Sequence, residues 1–216
     1  MSKLDDNTVI SGSAALDKQL SNFALENSVA GLEFLSCIPG SIGGAIRMNS
    51  GCYDYDISKC IDSIQAIDRS GIVRIIKSET INFFYRGSDL SDDLIFLSGT
   101  FKGEKQDKRK IKEKMEEFSA IKKKSQPSRI KTCGSTFKNP TSQTKKKAWE
   151  LIKEAQCENM KIGGASISEK HSNFFVNQGF ATSNDMENLI NLVREKVFKT
   201  TGIKLELELQ IIGEKK

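Results

Sequence analysis

The sequence predicts an α+β protein built from two lobes. Strand-like and helix-like patterns are mixed through the first hundred residues, and the composition shifts to lysine and glutamate from Lys105 onward. The chain has 216 residues, which is enough for one large domain or two small ones with a hydrophobic core. We therefore expect a first lobe over residues 1–104 and a second lobe over residues 105–216.

The first lobe is expected to contain a short strand, a helix and a β-hairpin. Residues 7–10 are typical of a strand that leads into Gly12. Apolar residues then recur at the spacing of one helix face, at Leu16, Leu20, Phe23 and Ala24. Residues 61–76 alternate between apolar and polar around a turn that contains Asp and Gly, which predicts two paired strands. Residues 94–97 predict a further strand.

The second lobe is expected to begin with a helix and to end with a strand. An amphipathic helix over residues 105–124 connects the lobes, and Pro127 stops it. Its apolar face is formed by Ile111, Met115, Phe118 and Ile121. Strict alternation over residues 205–209 predicts the final strand.

Two further helices are predicted between these ends, over residues 144–155 and 184–200. The first is expected to turn Trp149, Ile152 and Ala155 inward. In the second, Asn184 and Glu187 can cap the N-terminus, and Gly202 marks the exit.

Composition excludes several classes of protein. No apolar run approaches the roughly 18 residues that a membrane span needs, and no secretory signal is visible. The net charge is +5, but three tyrosines and one tryptophan supply few stacking rings, so we expect no nucleic-acid partner. The five cysteines are an odd number without a CxxC pair, which disfavours zinc and disulfides and favours a reducing, cytoplasmic compartment.

A glycine-rich stretch lies at residues 38–45, IPGSIGGA, and MNSG follows it at residues 48–51. Glycines let the main chain approach a ligand closely and can present consecutive N–H groups, as a phosphate or a flavin requires. The pattern is neither GxGxxG nor a P-loop. Taken alone, it favours an ordinary glycine-rich turn over a ligand site.

The segment CGSTFKNP brings the hydroxyl of Ser135, the cation of Lys138 and the amide of Asn139 close together. Neither His nor Asp is nearby in sequence, so a hydrolase triad is disfavoured. A hydroxyl can donate a proton to a reacting carbon if a neighbouring cation stabilises its alkoxide. The alternative is a loop whose Ser and Asn side chains satisfy their own backbone.

Three other candidates have plain structural interpretations when each is taken alone. His171 is the only histidine, so it cannot build a metal site and is most simply a structural side chain. Arg86 lies among aromatics in FFYRGS, where burial would demand a partner. Glu208 falls on the predicted final strand and most simply faces solvent.

Together, several segments resemble one family. They are GLEFLSCIPGSIGGAIRMNSG, FFYRGS, CGSTFKNP, AWELIKEA, IGGASISEKHSNFFVN and GIKLELELQIIGE, between about residues 31 and 214. Their order and wording resemble the UDP-N-acetylenolpyruvoylglucosamine reductases, the MurB family of bacterial cell-wall synthesis. The resemblance implies an FAD enzyme in which NADPH reduces the flavin. The flavin then passes hydride to the enolpyruvyl double bond of UDP-N-acetylglucosamine enolpyruvate, which gives UDP-N-acetylmuramate. It also implies that residues 1–104 are the last part of an FAD-binding domain and residues 105–216 the substrate domain.

The same resemblance implies roles for individual residues. Arg86 and Glu208 would polarise the enolpyruvyl carboxylate, and Ser135 would protonate the carbon left carbanionic by hydride addition. The residues that match the family's substrate contacts are Tyr85, Lys138, Asn139 and His171. Those that match its FAD contacts are Ile38, Pro39, Gly40, Ser41, Gly43, Gly44, Ala45, Asn49 and Gly51.

Several departures from the family pattern change what is expected. Lys122 stands where the family usually has Arg, and Glu158 reverses a charge. The resemblance matches no N-terminal lobe with a Gly-Ser-Asn phosphate loop. We therefore expect weak FAD binding and little turnover, an apolar surface that exposes Val9, Ile10 and Phe34, and association of the isolated chain. A monomer is expected when that lobe is present.

Two other functions stay open at this level. The chain could be a flavin-free remnant that binds the UDP-sugar without turnover, or, more distantly, a basic module that binds RNA. A bound flavin spectrum in the purified protein distinguishes the reductase from both.

Overall fold

The computed structural model describes residues 1–128 and 130–213, and it divides the chain into two compact units, Met1–Lys122 and Lys123–Lys216. Each unit combines helices with antiparallel strands, which confirms the predicted α+β class. No helix among the described residues is long and apolar enough to cross a membrane. The last three residues of the predicted second lobe lie outside the described part.

The boundary between the units lies later than the composition predicts. The shift at Lys105 marks the approach to a helix, α3 (Lys108–Ser125), and not the end of a core. Phe118 of α3 packs into the core of the first unit and stacks on Tyr53 at 5.0 Å between ring centroids. The shift to lysine and glutamate reflects the exposed face of α3. Its few buried side chains decide to which core the helix belongs. The functional division at 104/105 stays a prediction.

The first unit contains three α-helices and a series of mostly short strands. Its helices are α1 (Asp17–Glu26), α2 (Ile42–Arg47) and most of α3, with 3-10 turns at Glu33–Cys37, Ile57–Lys59 and Ser78–Thr80. Its strands are β1 (Ser2–Lys3), β2 (Thr8–Gly12), β3 (Val29–Ala30), β4 (Gly51–Cys52), β5 (Tyr55–Asp56), β6 (Ile61–Ile67), β7 (Val73–Lys77), β8 (Phe83–Phe84), β9 (Gly87–Ser88), β10 (Ile95–Lys102) and β11 (Glu104–Lys105).

A five-stranded antiparallel sheet, in the order β1-β2-β10-β6-β7, forms the centre of the first unit. The predicted hairpin is confirmed as β6 and β7, with Ile64 opposite Ile76. On the predicted apolar face of α3, Ile111 and Phe118 are buried, whereas Ile121 is exposed. The central strand β10 is longer than the predicted strand at residues 94–97, because it pairs with β2 and β6 on its two edges.

The expected exposure of Val9 and Phe34 is wrong, because both side chains are fully buried in the core of the first unit. Val9 lies on β2 between β1 and β10, and it points to the core side of the sheet. Other apolar side chains of this unit are exposed instead, among them Ile75 (70% exposed) and Ile95 (65% exposed). The unit therefore closes its own core and leaves apolar side chains on the other sheet face.

The second unit is a four-stranded antiparallel sheet with two helices. Its strands are β12 (Lys131–Ser135), β13 (Lys161–Ile162), β14 (Ala165–Ser168) and β15 (His171–Asn177), in the order β12-β15-β14-β13. The helices are α4 (Ala148–Glu154) and α5 (Ser183–Thr201). Leu151 of α4, Phe175 of β15 and Val193 of α5 are buried in one core.

The prediction of a strand over residues 205–209 is wrong. Among the described residues of this segment, only Leu207 pairs, and it forms a single bridge with Phe137. Phe137 lies just beyond the end of β12 at Ser135. The neighbouring chain is not itself a strand there, so the pairing stops after one bridge despite the alternating sequence.

Both helices of the second unit differ in detail from the prediction. Helix α4 begins later, at Ala148, and Leu151 is fully buried while Trp149 is only half-buried. Helix α5 is capped by Thr182 and Asp185 and not by Asn184 and Glu187, so the predicted cap is wrong by two residues. The capping box has the expected spacing: the Thr182 hydroxyl accepts from the Asp185 N–H, and the Asp185 carboxylate accepts from the Thr182 N–H.

The capping box gives a first test of the second unit. Thr182 Oγ1 accepts a hydrogen bond from the Asp185 N–H at 3.1 Å. Replacing Thr182 by alanine leaves that N–H without its cap, and we expect a loss of about 1 kcal/mol in the free energy of unfolding in urea. Ser183→Ala, at the exposed next position, is the control and should change stability little. Equal losses in the two variants would contradict the assigned cap.

Candidate functional site

The glycine-rich stretch turns directly into helix α2. Ser41 is the N-cap of α2, and its hydroxyl accepts a hydrogen bond from the Gly44 N–H at 3.4 Å. The Ile42 N–H donates to the Ala15 carbonyl and the Gly43 N–H donates to the Ser13 carbonyl, both at 2.9 Å. The predicted array of consecutive N–H groups for a ligand is therefore wrong at these positions, because the chain uses them itself.

The residues that match the family's FAD contacts nevertheless surround an accessible length of main chain. Pro39, Gly40 and Gly44 are exposed, Ile38, Ser41, Gly43 and Gly51 are half-buried, and Ala45 and Asn49 are buried. At the exposed positions a planar ligand could lie against the backbone without meeting a large side chain. The stretch therefore lets a ligand approach the main chain closely. It does not present consecutive N–H groups for a phosphate.

Asn49 is a structural link beside this stretch. Its Nδ2 donates to the Phe84 carbonyl at 3.1 Å, and its Oδ1 accepts from the Ser58 N–H at 2.9 Å. Its φ of 40° lies in the left-handed region, which Asn tolerates better than most residues. The side chain therefore joins the glycine-rich stretch to the strand pair β8–β9.

Arg86 lies in the two-residue turn between β8 and β9. Its φ is 60°, an unusual conformation for a residue other than glycine and one that is concentrated at functional sites. Arg86 Nη2 donates to the Gly51 carbonyl at 3.2 Å, and the guanidinium lies 4.9 Å from the ring centroid of the exposed Tyr85. The turn thus places the guanidinium of Arg86, the candidate catalytic cation, beside Gly51, the last residue of the MNSG segment. Gly87 allows this turn, because a Cβ there would collide with the Phe84 ring at 2.4 Å.

In the second unit, Ser135 is half-buried at the end of β12, opposite Phe174 of β15. The pairing is irregular between Thr132 and Ser135, where Gly134 has a φ of 84°. A bulge of this kind redirects the side chain that follows it. The bulge therefore lies just before Ser135, where the pairing resumes opposite Phe174.

The segment after Ser135 runs beside the segment that carries Glu208. The Glu208 N–H donates to the Thr136 carbonyl and the Lys138 N–H donates to the Glu206 carbonyl, both at 2.9 Å. Two candidate residues far apart in sequence, Ser135 and Glu208, are thus held on adjoining stretches of chain. Glu208 is half-buried and not a freely solvated carboxylate.

Asn173 holds this arrangement together, although no pattern in the sequence marked it. Its side chain donates to the Phe137 carbonyl at 2.8 Å and accepts from the Phe137 N–H at 3.0 Å, while its own carbonyl accepts from the Thr136 N–H at 2.8 Å. Asn173 is buried in β15, directly before the apolar residues Phe174, Phe175 and Val176. An amide at such a position is the signal that could have identified it, because buried amides need partners.

His171 and Asn139 lie at other edges of the second unit. His171 begins β15, its Nδ1 accepts from the Asn173 N–H at 3.2 Å, and its ring packs edge-on against Phe174 at 4.8 Å. Asn139 Oδ1 accepts from the Ala148 N–H at 3.0 Å and so links the Ser135 loop to α4.

Burial lowers the pKa of His171, and the nearby cation of Lys153 lowers it further. The acceptor role of Nδ1 is consistent with the neutral ring. We expect the imidazole proton signal of His171, the only histidine of the chain, to titrate by NMR with a midpoint below 6.5. The urea-unfolded chain is the control, with a midpoint of about 6.5. A folded midpoint at or above the unfolded one would contradict the described environment.

Lys122 replaces the family's usual Arg, and it contacts the residue just before the glycine-rich stretch. Its Nζ donates to the Cys37 carbonyl at 2.6 Å, immediately before Ile38. A lysine makes one such contact as a point charge, whereas an arginine could form a bidentate pair.

Comparison with known proteins identifies the family. The chain is 49% identical over 212 residues to the "UDP-N-acetylenolpyruvoylglucosamine reductase" of Pelagibacter ubique, a match that covers 98% of this chain and 70% of the relative. The chain belongs to the UDP-N-acetylenolpyruvoylglucosamine reductase family. The reductase of Rickettsia akari is 43% identical over 208 residues, which cover 96% of this chain and 70% of the relative.

Family models and a solved structure agree with this membership. The family model described as "UDP-N-acetylenolpyruvoylglucosamine reductase, C-terminal domain" matches residues 126–212, and the model described as "FAD binding domain" matches residues 2–77. The crystal structure of the MurB reductase from Thermus caldophilus aligns with a TM-score of 0.83 at 31% identity, over 96% of this chain and 73% of that one. The resemblance drawn from the sequence is confirmed.

Within this reductase-family chain, the described geometry brings together two sets of candidates. In the first unit, Arg86 meets Gly51 of the glycine-rich segment. In the second unit, Ser135 and Lys138 lie beside the Glu206–Glu208 segment. The catalytic and binding roles of these residues stay predictions.

Proposed function

We propose that this chain acts as a UDP-N-acetylmuramate dehydrogenase in the cytoplasm, and that it takes part in peptidoglycan synthesis. It would use NADPH and FAD to reduce UDP-N-acetylglucosamine enolpyruvate. The identity of 49% with a protein named as this reductase carries the proposal. The five cysteines are free thiols, as a reducing compartment would keep them.

The residues of the first unit fit an FAD cofactor. The exposed backbone at Pro39, Gly40 and Gly44 permits close approach of a flat ring system. The hydroxyls of Ser13 and Ser88 are buried without a hydrogen-bond partner among the described residues, so polar groups remain for a ligand to satisfy. When bound, FAD supplies the hydride transfer from NADPH to the enolpyruvyl double bond.

Arg86 would stabilise the charge that develops on the substrate. Hydride addition to the β-carbon of the enolpyruvyl group moves negative charge toward the carbon that bears the carboxylate. A fixed cation there lowers the barrier, because it stabilises the charge only as it forms. The strained turn and the bond to the Gly51 carbonyl hold the guanidinium in one place. Glu208, by the family pattern, acts on the same carboxylate.

Ser135 would complete the reaction by protonating the carbanionic carbon. A hydroxyl releases a proton only if its alkoxide is stabilised, and Lys138, three residues along, can provide the cation. The clamp of Asn173 on Phe137 fixes the backbone that follows Ser135. Such positioning is what a proton transfer requires, since small displacements from the productive geometry are costly.

The UDP-sugar would be held by Tyr85, Lys138, Asn139 and His171. Neutral His171 can donate one hydrogen bond without introducing a charge, and Tyr85 offers an exposed ring next to Arg86. Lys138 is the cation for phosphate in this set.

One observation favours the second candidate, a flavin-free protein that binds the UDP-sugar. The N–H groups of Ile42 and Gly43 are occupied by carbonyls of the chain, so the glycine-rich stretch offers fewer donors to a cofactor than its sequence predicts.

The two candidates differ in a flavin titration. The purified chain is titrated with FAD while flavin fluorescence is followed, then reduced with NADPH under anaerobic conditions and mixed with the enolpyruvyl substrate. The reductase proposal expects saturable FAD binding, NADPH-dependent bleaching and recovery of the flavin spectrum on adding substrate. Binding of the UDP-sugar by calorimetry without FAD binding would overturn it and support the second candidate.

A further inference from the structure

A group of buried polar side chains lies beside the glycine-rich stretch, and two of them, Asp17 and Ser21, have no part in the proposed function. Ser13, Asp17 and Ser21 have side-chain oxygens that are buried without a hydrogen-bond partner among the described residues. Asp17 and Ser21 are four residues apart on α1 and so share one face of the helix. An unpartnered carboxyl in such a place needs an explanation, since burial without hydrogen bonds is costly.

The contacts of Asp17 tie it to Gly40. Its side chain and backbone together are only 1% exposed. Its N–H donates to the Gly40 carbonyl at 3.1 Å, and a Cβ added at Gly40 would lie 3.1 Å from Asp17 Oδ2. In the same way, a Cβ added at Gly43 would lie 3.1 Å from Cβ of Ser13. The stretch at residues 38–45, which we call the cofactor loop, therefore rests directly on this group.

Among the described residues, no cationic side chain pairs with Asp17. Residues 13–16 and the cofactor loop contain no titratable side chain. On α1 the charged groups are Lys18 and Glu26, which are both exposed. On the neighbouring 3-10 helix, Glu33 accepts from the Gly31 N–H, and Cys37 is a buried thiol. Arg47, at the end of α2, is bonded to carbonyls of residues 90, 91 and 94.

Burial alone therefore raises the pKa of the Asp17 carboxyl, from 3.8 to about 7. Desolvation penalises the charged form of a buried acid, so Asp17 is neutral below that pH and ionised above it.

We propose that Asp17 is a positioning residue for the cofactor loop: its neutral carboxyl lets the loop close over α1, and its ionisation opens the loop. An ionised carboxylate needs hydrogen-bond donors, and a movement of Gly40 away from Asp17 Oδ2 would let water supply them. The inference rests on the proposed function only in naming FAD as the ligand of the loop.

The affinity for FAD gives the first test. If the cofactor loop binds FAD only while Asp17 is neutral, the apparent Kd for FAD should rise about 30-fold between pH 6 and pH 8.5, because the pKa of Asp17 is about 7. In Asp17→Asn, which keeps the shape but cannot ionise, Kd should be nearly the same at both pH values. Glu26→Gln, at an exposed acid on the same helix, is the control and should keep the wild-type pH dependence.

The second test needs no cofactor. The backbone amide signals of Gly40 and Gly44 are followed by NMR from pH 5 to pH 9 in the wild-type chain and in Asp17→Asn. We expect them to shift with a midpoint near 7 in the wild type and to stay constant in the variant.

These two readouts separate the inference from the proposed function. If the glycine signals do not titrate, or titrate equally in Asp17→Asn, the inference is overturned whether or not FAD binds. If they titrate as expected but FAD does not bind at any pH, the loop switch stands and the reductase proposal fails.

Discussion

Replacing Ser135 by alanine is expected to lower the rate of UDP-N-acetylmuramate formation by about 10²–10⁴-fold, the range typical of a lost general acid. The methyl group removes the proton donor but leaves the backbone clamp of Asn173 on Phe137 in place. FAD reduction by NADPH should be unchanged, because that half of the reaction needs no proton from Ser135. Binding of the UDP-sugar should change little as well.

The measurement follows product formation in single turnover after the NADPH-reduced protein is mixed with the enolpyruvyl substrate. Ser183→Ala, an exposed serine at the start of α5, is the matched control and should keep the wild-type rate. A Ser135→Ala variant that forms product at the wild-type rate would remove Ser135 from the mechanism. A variant that lost FAD reduction as well would point to a structural role.

Replacing Phe137 by alanine is expected to cost about 3–5 kcal/mol in the free energy of unfolding. The Phe137 side chain is only 1% exposed, and it meets Phe175 edge-to-face at 5.7 Å between ring centroids. Its removal leaves a cavity between β15 and the segment that carries Glu208. Because small proteins have net stabilities of about 5–15 kcal/mol, the loss is a large part of the total.

Urea unfolding followed by circular dichroism measures this effect. Phe180→Ala is the control, because Phe180 is 73% exposed and its removal should cost less than about 0.5 kcal/mol. If Phe137→Ala does not fold, Phe137→Leu keeps most of the volume and should give a smaller, measurable loss. Equal effects at positions 137 and 180 would contradict the described core.

Patterns that depend on neighbouring residues were predicted well from the sequence. The β6–β7 hairpin was visible because its alternation and its turn lie within residues 61–76. Gly202 was expected at the exit of α5, and its φ of 72° is the left-handed value that ends a helix. These features follow from local backbone preferences, which a sequence displays directly.

Features that depend on distant partners were missed. The N–H groups of the glycine-rich stretch are satisfied by carbonyls of Ser13 and Ala15, some thirty residues earlier, and no local pattern shows this pairing. Residues 205–209 alternate between apolar and polar as a strand does, yet they pair with the neighbouring segment through only one bridge, between Leu207 and Phe137. No pattern in the sequence marked Asp17, because its burial depends on the packing of Gly40, which lies far along the chain.

The bulge at Gly134 weakens the register between β12 and β15, and Asn173 fixes that register. A strand with an irregular ladder can slip along its neighbour, and a shift by one residue would send every side chain of β12 to the opposite face of the sheet, Ser135 included. The paired bonds of the Asn173 amide to the N–H and the carbonyl of Phe137 can form in one alignment only. One buried amide thus selects the alignment of β12 and, with it, the face of the sheet on which Ser135 lies.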